Sequence, residues 1–188
     1  MKLRVVRKAN ETELLEVLLP GKVEHKLIFI SMERSQRAFL GLLRIALGGL
    51  FFYAGITKVL DPAWSAEGYL RGAKSFAGFF GALANPSILP FVNFVNEWGL
   101  TLLGVSLILG IGVRFSSVLG VALMLLYRLA LPFLMPNAHS YIVDEHVVYI
   151  FALLCLAAFR AGRVWGLEEW CANLPLCRKF PNLRSWWG

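Results

Sequence analysis

Between Leu126 and Tyr149 the chain reads LYRLALPFLMPNAHSYIVDEHVVY, a stretch in which ionisable side chains interrupt otherwise apolar sequence. Arg128 lies inside an apolar run, and Asp144, Glu145 and His146 open the next one. Tyr149 follows Glu145 by one helical turn and shares its face. Glu97 and Lys58 stand near the ends of two further apolar runs. Cations of this kind hold anions, and carboxylates pass protons. Histidine is the side chain whose ordinary titration falls nearest neutral pH. Arg128, Glu97, Asp144, Glu145 and His146 are therefore the candidate catalytic residues. Lys58, Arg128 and Tyr149 are the candidates for holding a substrate. A charge at the centre of a membrane helix costs roughly 3 kcal/mol on insertion scales, so such residues persist where they pair, face a bundle interior or line a polar path. With His146 neutral, Lys58 and Arg128 face Glu97, Asp144 and Glu145, a near-balance that fits an active site and a structural ion-pair knot alike.

The elements that must position these residues follow from composition. The chain is 57% hydrophobic and 16% charged, against about 25% charged for a soluble domain. Crossing about 30 Å of hydrocarbon takes about 20 apolar residues. Four runs approach that length: Ala38–Leu60, Pro90–Val113, Phe115–Met135 and Val143–Ala161. The predicted fold class is an all-α integral membrane protein, a four-transmembrane-helix bundle over residues 38–161. Eight Lys/Arg precede the first run, Arg114 lies between the second and third, and five follow from Arg160 onward, making 14 against only Arg71 and Lys74 in the loops on the other side. That asymmetry predicts both termini on the cytoplasmic side of a prokaryotic cytoplasmic membrane. It assigns the net charge of +7 to topology and argues against nucleic acid as a partner. The lipid bilayer is the expected one.

Residues 1–37 read as a mixed, charged cytoplasmic segment with a short helix at Thr12–Leu19, and the sequence MERS from Met32 is an alternative start. In the first span, Arg44, Gly48, Phe51, Gly55 and Lys58 fall on one helical face, whose glycines suit close helix approach in lipid. Arg44 either points inward with that face or snorkels to the nearer membrane edge. The loop 61–89 is apolar, with Tyr69, Leu70, Phe76, Phe79, Phe80 and Leu83 at helical spacing. It is predicted as an interfacial helix, with a lid over a pocket as the alternative. Pro132 removes a helix hydrogen bond near Arg128 and predicts a kink there. Cys155 is expected to be a buried thiol, and Cys155, Cys171 and Cys177 form neither a disulfide framework nor a metal motif. Residues 162–188 read as a basic, tryptophan-rich tail along the cytoplasmic interface.

The segments RIALGGLFFYAGITKVLDP, PFVNFVNEWGLTLLGVSLILGIGVR and IVDEHVVYIFALL, in that order, resemble the DoxX/DoxD family of small four-span membrane proteins. The long loop and VDEH segment look DoxD-like. The resemblance implies the membrane subunit of a thiosulfate:quinone oxidoreductase, with quinone as electron acceptor. It also implies a second subunit or redox partner, with a homo-oligomer as a further arrangement. No haem, iron–sulfur or flavin motif and no metal motif is present in the sequence. A non-catalytic scaffold for a redox or oxidative-stress complex, and a small-molecule carrier, are the competing readings.

Overall fold

The computed structural model describes residues 22–132 and 143–167, with side chains described from Arg34 onward. The chain divides at Phe39/Leu40 into two compact units, and everything that positions the site belongs to the second. Helix α1 spans Lys22–Val59, α2 Glu67–Arg71, α3 Ala77–Leu83, α4 Leu89–Leu109, α5 Val113–Ala130 and α6 Glu145–Ala158, followed by a 3₁₀ turn at Ala161–Arg163. No strand occurs among the described residues. The helix expected at Thr12–Leu19, Cys171, Cys177 and most of the tail lie outside them.

Among the described residues, three helices are long and apolar enough to cross a membrane: Arg34–Val59 within α1, α4 and α5, with mean hydropathies of 1.8, 1.4 and 1.5. Even α5, at 18 residues, spans about 27 Å. Their exposed faces carry Phe91 (68% exposed), Leu102 (60%) and Leu119 (55%), a surface that suits hydrocarbon. This is an all-helical membrane protein. Helix α6 is apolar but has only 14 residues, or about 21 Å, shorter than the run from which a fourth span was expected.

One helix end and one side chain differ from expectation. Pro132 does not kink a continuing helix. Helix α5 stops at Ala130, and Leu131 turns extended with ψ 155°, because a proline ring excludes the residue before it from the helical region. Cys155, expected to be buried, is exposed and sits on the outward side of α6.

Glycines set the contact between α1 and α4. A Cβ on Gly55 would strike the Thr101 backbone, one on Gly104 the Phe52 backbone, and one on Gly48 Ile108 at 2.8–2.9 Å. Backbones this close leave no room for a side chain. Phe51, Leu100, Leu103, Leu107, Met124, Leu153 and Leu156 fill the core where α1, α4, α5 and α6 meet. The predicted inward face of α1 is observed: Arg44, Gly48, Phe51 and Gly55 are buried and Lys58 is half-buried.

Arg44 does not snorkel. It is fully buried, and its guanidinium donates to the carbonyls of Ala161 (2.9 Å), Gly162 (3.4 Å) and Trp165 (3.3 Å). Gly110 and Gly166 close over it, since a Cβ on either would collide with Nη1. Leu167 N donates to Leu109 O at 3.0 Å, tying the same strap to the end of α4. Arg160 and Trp165 hold positive φ of 50° and 54°, a cost that non-glycine residues bear only where neighbours fix them.

The loop 61–88 forms two short helices instead of one and packs as a second cluster of Ala66, Leu70, Ala73, Phe80 and Ala84 against Ala130. Its backbone is clipped to the end of α5. Tyr69 Oη donates to Tyr127 O (2.8 Å), and the amides of Lys74 and Ser75 donate to Ala130 O (3.0 and 3.5 Å). These bonds satisfy carbonyls that the terminating helix leaves open.

Candidate functional site

Beneath that loop lies a cavity of about 660 Å³, walled by α1, α4, α5 and α6 and roofed by Trp64, Ala66, Tyr69, Leu70, Phe80 and Leu83. The segment thus covers a pocket between the helices. Leu50, Phe91, Val95 and Leu126 line the cavity while remaining 39–68% exposed, so lipid-facing side chains border it.

Of the residues singled out from sequence, Lys58, Glu145, His146 and Tyr149 line the cavity. Glu145 and Tyr149 share one face of α6, as their spacing requires. The Lys58 ammonium lies 5.3 Å from the centre of the Trp64 ring, within reach of a cation–π attraction. Phe51 packs edge-on to Tyr149 at 5.6 Å.

Arg128 and Asp144 stand behind this wall and do not line it. Arg128 Nε lies 3.7 Å from Asp144 Oδ1, with both side chains about nine-tenths buried. The separation exceeds hydrogen-bond length, so the attraction is one of charge. Asp144 also caps α6, accepting from Val147 N at 3.1 Å, and its Oδ2 lies 3.0 Å from His146 Nδ1. The acid at the start of α6 and the base in the last turn of α5 both oppose the local helix dipoles favourably. Burial pushes the Asp144 carboxyl up. The His146 hydrogen bond, the Val147 amide and the nearby His146 and Arg128 charges outweigh it and hold the carboxyl below the usual carboxylate range. Arg128 therefore meets Asp144. Glu97 is half-buried, does not line the cavity, and makes no ion pair among the described residues.

Three polar residues of the site were not singled out from sequence as functional. Asn96, 7% exposed, donates through Nδ2 to the Tyr127 hydroxyl, and both line the cavity. The Tyr127 ring packs against Tyr69 (5.5 Å, edge-on) and His146 (5.6 Å). Burial, with Tyr127 and Asp144 nearby, pushes Tyr69 up to about 12, so its hydroxyl remains a donor to the Tyr127 carbonyl. Asn96 and Tyr127 are 31 positions apart. Their only sequence signal is polarity at the edges of apolar runs. No group of three or more His, Cys, Asp or Glu suited to a metal occurs among the described residues.

Fold and site define a helical membrane protein with a ligand-sized internal cavity, apolar at its border and polar on one wall. Residues 39–131 match the DoxX family model, and the chain carries a DoxX family domain over that stretch. The match takes in α1 from residue 39, the roof, α4 and α5 and ends before α6, so Asp144, Glu145, His146 and Tyr149 lie beyond it. No curated protein and no solved structure matches the chain.

Proposed function

We propose that this chain is the quinone-binding membrane subunit of an oxidoreductase that oxidises thiosulfate or a related reduced-sulfur compound. One observation carries the reading: the cavity combines lipid-facing apolar walls with His146, Tyr127, Asn96 and Lys58 on its polar side. About 660 Å³ is within the range of small-molecule sites, and a lipophilic ring can reach it from the bilayer. The resemblance of the sequence to DoxD-like subunits supports the sulfur donor.

In this reading two thiosulfates each lose one electron and join through a new S–S bond as tetrathionate, while quinone takes up two electrons and two protons to become quinol. His146 holds a proton at the cavity wall. Asp144, at Nδ1, orients the ring and leaves the other nitrogen for the ligand. Arg128 holds Asp144 ionised from behind, so His146, Asp144 and Arg128 work as one relay. Lys58 supplies positive charge for a sulfur dianion. Glu145, exposed at the start of α6, serves proton exchange with the aqueous side, and Tyr149 packs the ring. Glu97 has a structural part in this scheme. Helix α6 completes a four-span domain whose termini are cytoplasmic, the arrangement that the 14-to-2 distribution of Lys and Arg supports. A second subunit delivers the sulfur compound.

The test is thiosulfate-dependent reduction of a short-chain benzoquinone by the detergent-solubilised full chain with its co-purifying proteins. Wild type is expected to turn over, and His146→Gln to be slower by about 100-fold, the scale of general acid–base catalysis, while still binding the quinone. A folded wild-type preparation inactive with several quinones would contradict the reading and favour a scaffold role.

A further inference from the structure

Helices α4 and α5 each turn one regularly spaced face toward a second cavity, a groove of about 570 Å³. On α4 that face carries Val95, Gly99, Leu102 and Ser106, and on α5 the same spacing runs from Phe115 to Leu126. From Val95 to Ser106 the groove follows α4 for about 16 Å. At its far end the Ser106 and Ser116 hydroxyls meet each other at 2.8 Å, and Ser106 Oγ donates to Ile111 O at 2.6 Å. These polar atoms are taken up by the chain itself, and the rest of the wall is apolar. Val95, Leu123 and Leu126 line both this groove and the cavity under the roof. Gly99 lines the groove alone, and a Cβ placed on it meets nothing within 4 Å. The groove is open there because no side chain fills it.

We propose that the groove between α4 and α5 holds the hydrocarbon tail of the ligand whose ring occupies the cavity under the roof, so that the site takes long-tailed, membrane-dissolved quinones in preference to short-tailed ones. The inference deepens the quinone reading and rests on it for the ring. A ring that enters from the bilayer trails its tail across the lipid-facing border of the cavity. Val95 and Leu126 belong to that border, and beyond them the groove continues down the same two helices. A polar headgroup finds no partner along it, since both serines are engaged. A chain that leaves bulk lipid for the groove gains little from the hydrophobic effect, because lipid is already apolar. What it gains is close packing against a fixed wall. The shared residues Val95, Leu123 and Leu126 favour the ligand's own tail over a separate lipid chain.

Two probes isolate the tail: duroquinone, and its homologue with a decyl chain in place of one ring methyl. The full chain is reconstituted in lipid nanodiscs, and binding is read as the excess of each probe over empty nanodiscs, referred to its concentration in the lipid. Wild type is expected to bind the decyl probe about tenfold tighter than duroquinone. Gly99→Phe fills the groove from an open position, and loss of a helical glycine does not disfavour the helix. It is expected to bring the ratio close to one while leaving duroquinone binding unchanged. Gly99→Leu takes its place if the phenylalanine variant fails to fold. Equal affinities in wild type would overturn the proposal. So would a decyl preference that survives Gly99→Phe, which would lay the tail over Leu50 and Phe91 or leave the groove to a structural lipid. Duroquinone bound with a ratio of one would keep the quinone reading and remove the tail site. A groove-dependent ratio without thiosulfate-driven turnover would keep the tail site and remove the oxidoreductase reading, and binding of neither probe would end both.

Discussion

The two ends of the helix bundle each bury an arginine and treat it differently. At one end Arg44 is enclosed by carbonyls of the 161–165 strap and by Gly110 and Gly166. Its charge is spent on closing the chain. At the other end Arg128 lies 3.7 Å from Asp144, and Asp144 engages His146, which lines the cavity. A guanidinium enclosed by the carbonyls and glycines that close the chain is a structural device. A series of polar side chains that reaches a cavity wall at His146 is where we place the ligand. Burial of a charge alone distinguishes neither.

The largest effect expected from breaking this contrast is at the cage. Arg44→Leu removes the donor from three carbonyls, and should cost about 3–5 kcal/mol, seen as a large fall in the melting temperature of the detergent-solubilised protein. Whatever folds should bind cavity ligands normally. Gly104→Leu, which drives a side chain into the Phe52 backbone, should cost about 1–3 kcal/mol or more by the same measurement.

At the other end the effects shift from stability toward function. Asp144→Asn keeps the helix cap but removes the negative charge 3.7 Å from buried Arg128, and should cost up to about 3 kcal/mol. Its pH signature is specific. The Asp144 carboxyl is depressed below its ordinary value of 3.8, so its contribution is fully present above that value and is lost as pH falls through the lower folded value. Acid melts should therefore fall more steeply for wild type than for Asp144→Asn. The smallest effect is expected for Tyr69→Phe, which releases one bond between roof and α5 and should cost about 0.5–1.5 kcal/mol. Faster hydrogen exchange at Lys74 and Ser75 would report the loosened roof.

How much of this was legible in the sequence depends on the range of the interaction. The inward face of α1 was read from a period that a single helix fixes, and Arg44 to Gly55 obey it. The shared cavity face of Glu145 and Tyr149 followed for the same reason. At Pro132 the apolar pattern, which continues to Met135, predicts a kinked but continuous helix, whereas the ring acts first on Leu131 and ends it. Cys155 is exposed where its apolar surroundings predict burial, because in lipid the outward face is as apolar as the core and hydropathy does not tell the two apart. The partnership of Arg128 with Asp144, the Asn96–Tyr127 pair and the roof of the cavity depend on which helices meet, and local spacing carries none of that. The roof was at least among the alternatives, because its aromatic residues had helical spacing with no apparent partner.

The most direct test of the central claim, that the cavity beside His146 is the ligand site, is photolabelling with an azido-benzoquinone in membranes, followed by peptide mapping. Labels on α4 and α5 near Asn96 and Tyr127 and on α6 near His146, displaced by unlabelled quinone and reduced in His146→Gln, are the predicted result. Displaceable labelling confined to the outward surface of α4 and α5 around Leu102 and Leu119, with none at those three residues, would contradict it.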